Sequence, residues 1–128
     1  MNRKYLEDIM PKESIFGYHY SSDVRHERWC RQEEEYGFCD IETWDLDKAF
    51  AQIIYERLMM YKEVCSDKVE LNREIYDANG ASYNLEELLD KTISKCKEVI
   101  LATFSDEYCE LMDFVWWSMG VMHVYLWW

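Results

Sequence analysis

The sequence predicts an all-α fold, a compact bundle of four to five helices with a short extended arm near the N-terminus. Three observations carry that expectation. The chain has 128 residues, 49% of them apolar and 16% aromatic, enough for one closed core. At this size folding removes roughly 65–70% of the surface that the unfolded chain exposes, so no metal or disulfide staple is required. One proline and four glycines leave few breaks, and between them apolar residues recur at helical spacing. Residues 1–128 read as a single helical domain without internal repeat or low-complexity tract. A disordered tail, a collagenous repeat and a multidomain enzyme are excluded by composition.

The elements follow in order. Asn2 to Met10 is a short helix that Pro11 stops. Ser14 to Tyr20 alternates large aromatics and suits the extended arm, with no partner strand to found a sheet. Ser21-Ser22-Asp23 offers an N-cap cluster for a helix reaching about Tyr36. From Asp40, which can cap ahead of Thr43, the stripe Trp44, Ala51, Ile54, Leu58, Tyr61 and Cys65, widened by Phe50 and Ile53, predicts a helix of about 25 residues. Lys62 to Asp77 is polar and either continues that helix or bends near Ser66, and Asn79-Gly80 ends it. Asn84 followed by Glu87 resembles a capping box before Leu85, Leu88, Leu89, Thr92, Ile93, Cys96, Ile100 and Phe104. Ser105-Asp106-Glu107 caps a last helix that runs to the Trp127-Trp128 pair, inside which Gly120 either admits a neighbouring backbone or kinks the helix.

Charge is unevenly placed along the chain. The formal net charge is -12, yet residues 1–32 hold six bases and five acids, and after Lys97 there is no further Lys or Arg. A surface of this kind repels phosphate backbones, which argues against direct nucleic-acid binding and favours basic partners. The plainer reading of the same excess is that acid keeps an aromatic-rich domain in solution. Five cysteines, an odd number, and a start that meets acids before any apolar run point to a reducing cytosol with thiols packed as small hydrophobes. Leu111 to Trp128 approaches bilayer length, but Asp113 and His123 interrupt it and no basic anchor flanks it. It reads as a buried or interface helix, with association of copies through it kept open.

Candidate chemistry is sparse. His19, His26, Cys30 and Cys39 lie close in sequence, and His26 and Cys30 share a helix face, but the paired Cys-x-x-Cys of a zinc knuckle is missing. No metal and no cofactor is expected. Glu86 and Asp90, one turn apart, could share one Mg²⁺ in a nucleotide hydrolase, though no second carboxylate pair is evident and Lys91 and Lys95 read as surface partners of Glu87 and its neighbours. Asp47 falls within the apolar stripe and is expected to take a donor from Arg25, Arg28 or Arg31. The helix bearing these arginines has Glu33, Glu34 and Glu35 at its other end, the reverse of what its dipole prefers, so contacts outside the helix must set that order. No catalytic triad and no glycine-rich phosphate loop is present, and no enzyme activity is assigned.

Residues 35–51, from Glu35 through Gly37, Phe38, Asp40, Thr43, Trp44, Leu46 and Asp47 to Ala51, resemble a family of small uncharacterised phage and prophage proteins. The mark of that family is a Gly-aromatic-Ser-Asp-x-x-Thr-Trp-x-Leu-Asp segment before a long helix. Cys39 stands where those proteins usually have Ser, and Leu126-Trp127 is similar to the Leu-Trp that often closes them. The resemblance implies a phage product in the bacterial host cytosol and brings no activity.

Charge, size and this resemblance together lead to an expected function. The first reading is a phage-encoded protein that inhibits or modulates a host protein, including an anti-phage defence protein, by occupying a basic nucleic-acid-binding groove. Glu33, Glu34, Glu35, Asp40, Glu42 and Asp45 would meet the basic surface, with Trp127 and Trp128 as anchors. The alternative is an aromatic pocket that sequesters a nucleotide signal, built from Arg25, Arg28, Trp29, Trp44 and Asp47. The hydrolase is the third.

Overall fold

The computed structural model describes residues 4–9, 24–43, 46–65, 67, 70–102 and 108–126. The expected arm at Ser14 to Tyr20 and the expected caps at residues 21–23 and 105–107 lie outside them. The order is helix α1 (Lys4–Glu7), helix α2 (His26–Tyr36), a 3₁₀ helix (Asp40–Thr43), helix α3 (Leu46–Cys65), strands β1 (Glu74–Tyr76) and β2 (Ser82–Asn84), helix α4 (Leu85–Leu101) and helix α5 (Cys109–Met122). The bundle is mostly helical, as the sequence predicts, with a two-stranded hairpin added.

Helix α4 is the centre, packed against α3 on one side and α5 on the other. It forms here because Leu85, Leu88, Leu89, Thr92, Cys96, Val99 and Ile100 fall on one stripe and because the Asn84 side chain accepts the Glu87 N–H at 3.0 Å. That stripe supplies two adjoining apolar clusters. One joins Leu6 of α1, Ala51 and Tyr55 of α3, Cys96, Val99 and Ile100 of α4, and Met112 and Val115 of α5. The other joins Leu58, Leu71, Ile75, Leu85, Leu88, Leu89, Val121 and Met122. Each fully buried Leu or Val contributes roughly 1.5–3 kcal/mol, so these clusters carry most of the fold. Between α4 and α5 the Thr92 and Ser118 hydroxyls lie 2.8 Å apart in this interior, each also reaching a backbone carbonyl of its own helix.

Two buried polar groups were not foreseen. Lys48 of α3 is buried, and its ammonium donates to the carbonyls of Ile100 and Ala102 at the end of α4. A cation suits that end, where the dipole is negative and the last carbonyls lack helical partners. Gln52 is 1% exposed, and neither its amide nitrogen nor its oxygen has a hydrogen-bond partner among the described residues.

Of the two expectations for Lys62 to Asp77, continued helix is the one the structure corrects, while the end of α3 at Cys65 agrees with a break near Ser66. Helix α3 stops at Cys65, and β1 pairs antiparallel with β2 in the register Glu74 to Asn84, Ile75 to Tyr83 and Tyr76 to Ser82. Asn79-Gly80 belongs to the turn between the strands. Asp77 Oδ1 accepts the N–H groups of Asn79 and Ala81, and Gly80 adopts φ +83°, which favours glycine. Ile75 is fully buried beneath, and the Tyr125 hydroxyl bridges the N–H and the carbonyl of Tyr76. Gly120 admits no close neighbour, since a Cβ there would meet nothing within 4 Å. Helix α5 closes at Met122, short of the expected end, and Trp127, Trp128, Trp44 and Asp45 lie outside the described residues. No helix of the described residues is long and apolar enough to cross a membrane.

Candidate protein-binding face

Helix α2 carries its polar sequence to Tyr36 and ends on Gly37, whose φ of 84° lets its N–H return to the Glu33 carbonyl at 2.9 Å. The chain then folds back through the 3₁₀ helix. A small apolar knot of Trp29, Cys39 and Ile41, all fully buried, holds the two together. Asp40 is the polar lock of this corner. Its carboxylate accepts from Arg28 Nε at 3.0 Å, Trp29 Nε1 at 3.1 Å and Gln32 Nε2 at 3.1 Å, while its N–H donates to Gln32 Oε1 at 2.9 Å. Hydrogen bonds from Gln32 and Trp29, with the Arg28 charge, hold the Asp40 carboxyl below its ordinary range.

Of the three donors expected for Asp47, Arg28 pairs with Asp40 and Arg25 lies over Trp29, and among the described residues no ion pair joins Arg31 to Asp47. Asp47 sits in the first turn of α3, where the positive end of the helix dipole favours an acid. Arg25 stacks over the Trp29 ring at 4.8 Å from its centroid. Of the residues expected to hold a nucleotide, Trp29 thus presents no open face, and Arg25 and Arg28 serve the corner itself.

The residues expected to meet a partner separate into four groups. Glu34 and Glu35 are exposed on α2. Glu33 and Glu42 are half-buried and stand beside a groove. Asp40 is turned to the corner, and Asp45, Trp127 and Trp128 fall outside the described residues. The groove has a volume of about 1080 Å³ and runs along the outer face of α3, from Glu33, Phe38 and Glu42 at the start of that helix to Lys4, Tyr5 and Val64 at its end. Its floor was missed. Leu46, Phe50, Ile53, Met60 and Val64, with Phe38 beside them, keep between 36% and 56% of their surface in solvent. Phe50 and Ile53, expected to widen the buried stripe, face outward because α3 buries Lys48, Ala51, Gln52, Tyr55 and Leu58 against its neighbours. The signal was present as a second apolar stripe on the same helix. Trp116 of α5 continues it, its ring meeting that of Phe50 edge-on at 5.4 Å.

The metal-ligand types regroup. His26 Nε2 lies 3.4 Å from Cys30 Sγ, as their spacing on one helix face predicts, while the Cys39 sulfur lies with the Glu33 and Glu42 carboxylates, donor atoms within 4.8 Å of one another. Burial, and then the Glu42 and Glu33 charges, push the Cys39 thiol up to about 12, so at neutral pH it keeps its proton and donates to the Trp29 carbonyl at 3.3 Å. At the other acidic cluster, Asp90 pairs with Lys62, a tie between α3 and α4. Lys91 lies over the Phe114 ring and Lys95 pairs with Glu98, so neither takes Glu87 as its recorded partner.

No family model, curated protein or solved structure matches this chain.

Proposed function

We propose that this protein is a small acidic binding protein that occupies a basic surface of a host or phage protein and so inhibits or modulates it. A basic nucleic-acid-binding groove is the kind of surface its charge suits. The observation that carries the reading is a juxtaposition: Glu33 at the end of α2, Glu42 and Glu56 border an exposed apolar groove together with Lys4 and Arg57, giving one face both a rim with acids in excess and a floor that water wets poorly. Charge supplies orientation and encounter rate, and the apolar floor supplies affinity once water is expelled. The phage-like segment at residues 35–51 builds much of this face, consistent with a target in the infected cell. The reading assigns no bond-making or bond-breaking to the chain.

The test is capture from bacterial lysate on the immobilised protein, beside a variant carrying Glu33→Lys, Glu34→Lys and Glu35→Lys together. The parent protein should retain proteins with basic surfaces at low salt, release them as salt rises and lose them in the triple variant. Empty capture at low salt, or equal capture by the triple variant, would refute the reading.

A further inference from the structure

We propose that the groove on the outer face of α3 receives an amphipathic helix of the partner, apolar along one stripe and basic on the flanks of that stripe. The inference rests on the protein-binding reading and names the form and chemistry of what is bound.

The spacing of the exposed residues selects a helix. Leu46, Phe50, Ile53, Arg57, Met60 and Val64 succeed one another at four, three, four, three and four residues. That is the seam on which a second helix can lay its own side chains, and it extends about 27 Å, or five turns. An extended peptide repeats every two residues and would meet this seam out of phase. Helix α3 buries its opposite side against α4, so the seam is in excess of the packing that the described residues use.

Charge then selects the partner over a second copy. Glu33, Glu42 and Glu56 border the groove with Arg57 and Lys4, and Lys4 is paired with Glu63 just beyond it. Two copies placed face to face would each bring a formal charge of -12 and a rim in which three acids outnumber Arg57 and Lys4, so their fields repel. A helix with Lys or Arg flanking its stripe meets the rim favourably. Arg57, in line with the apolar residues, would accept one acidic side chain at the matching position of the partner, which fixes register.

The experiment uses the whole protein and two synthetic peptides of 21 residues and identical composition. One carries Leu at alternating spacings of three and four with Lys on the flanks, and the other has the same residues in scrambled order. Binding is followed by calorimetry near physiological ionic strength on the parent protein and on Phe50→Asp, Met60→Asp, the milder Met60→Ala, and Ser94→Asp on the exposed side of α4, with circular dichroism on each. The striped peptide should bind at least tenfold more tightly than the scrambled one. Phe50→Asp and Met60→Asp should each weaken it tenfold or more, Met60→Ala about threefold, and Ser94→Asp not at all. Phe50→Asp adds a negative charge, so attraction by charge alone predicts tighter binding, and the two ideas differ in sign. Equal binding of both peptides, or tighter binding to Phe50→Asp, would overturn the groove and leave the charge-based reading standing. Failure of both peptides to bind even at low salt would overturn both. A dimer in sedimentation that Phe50→Asp dissolves would assign the face to a second copy and overturn the proposal.

Discussion

The layer of α3, α4 and α5 and the corner formed by α2 with the 3₁₀ helix are built by different means. In the layer, two extended apolar clusters meet across α4, and polar groups are few and enclosed. In the corner three buried residues suffice, and the remaining work passes to Asp40 and its donors Arg28, Trp29 and Gln32. Exposed polar pairs each contribute about a kilocalorie or less, whereas buried aliphatic groups contribute more. The layer should therefore set global stability, and the corner should open locally at lower cost.

The division can be attacked first through apolar truncation, where the effect is largest. Leu89→Ala, in the fully buried stripe of α4, should cost about 2–5 kcal/mol in denaturant unfolding, while Met60→Ala on the outer stripe of α3 should stay within about 0.5 kcal/mol. Similar losses at both positions would mean that the outer stripe is covered within the protein. Lys48→Met comes next. It removes the donor to two carbonyls closing α4 and should cost about 1–3 kcal/mol, read in the same titration. Gln52→Met has the opposite sign. Replacing a buried amide that lacks partners by a side chain of similar volume should raise stability by about 1 kcal/mol.

The thiols sharpen the same contrast with pH. Burial pushes both Cys39 and Cys96 up to about 12, against an ordinary value of 9.0. In each case the folded state holds its proton more tightly than the unfolded chain, so the stabilisation is complete below about pH 9 and is lost as pH climbs toward 12. Glu42 and Glu33 add to the shift at Cys39, whereas Cys96 owes its shift to burial alone. Added salt should therefore ease only the Cys39 contribution. A thiol reagent at mildly alkaline pH should label Cys39 through opening of the corner well before Cys96, which waits on the layer. Equal rates would mean that the two regions open together.

Much of the layer was legible because apolar periodicity and the Asn84 cap both act locally, within one helix. The hairpin was not, although Glu74-Ile75-Tyr76 and Ser82-Tyr83-Asn84 flank an Asn-Gly turn, because strands of three residues acquire meaning only once Ile75 has a core to enter. Lys48 was hidden for a related reason, since its partners lie 52 and 54 residues away. Around the groove, charge alone pointed to Glu33 and Glu42, which line it, and to Glu34 and Glu35, which do not, and which acid faces inward was misplaced. Asp47 lies on the stripe by spacing, yet α3 begins only at Leu46, so Asp47 falls in the first turn, where the helix dipole favours an acid, and Asp40 takes Arg28. The outer stripe of α3 was absorbed into the core because periodicity identifies apolar faces without showing how many of them a neighbour covers.

The most direct measurement is methyl-detected nuclear magnetic resonance on the full protein titrated with the striped Lys and Leu peptide. Shifts should concentrate on Leu46, Ile53, Met60 and Val64, with Leu85, Leu89, Val99 and Val115 unmoved. Shifts centred on the interior methyls of α4 and α5, or spread evenly over the surface, would contradict the assignment of binding to the outer face of α3.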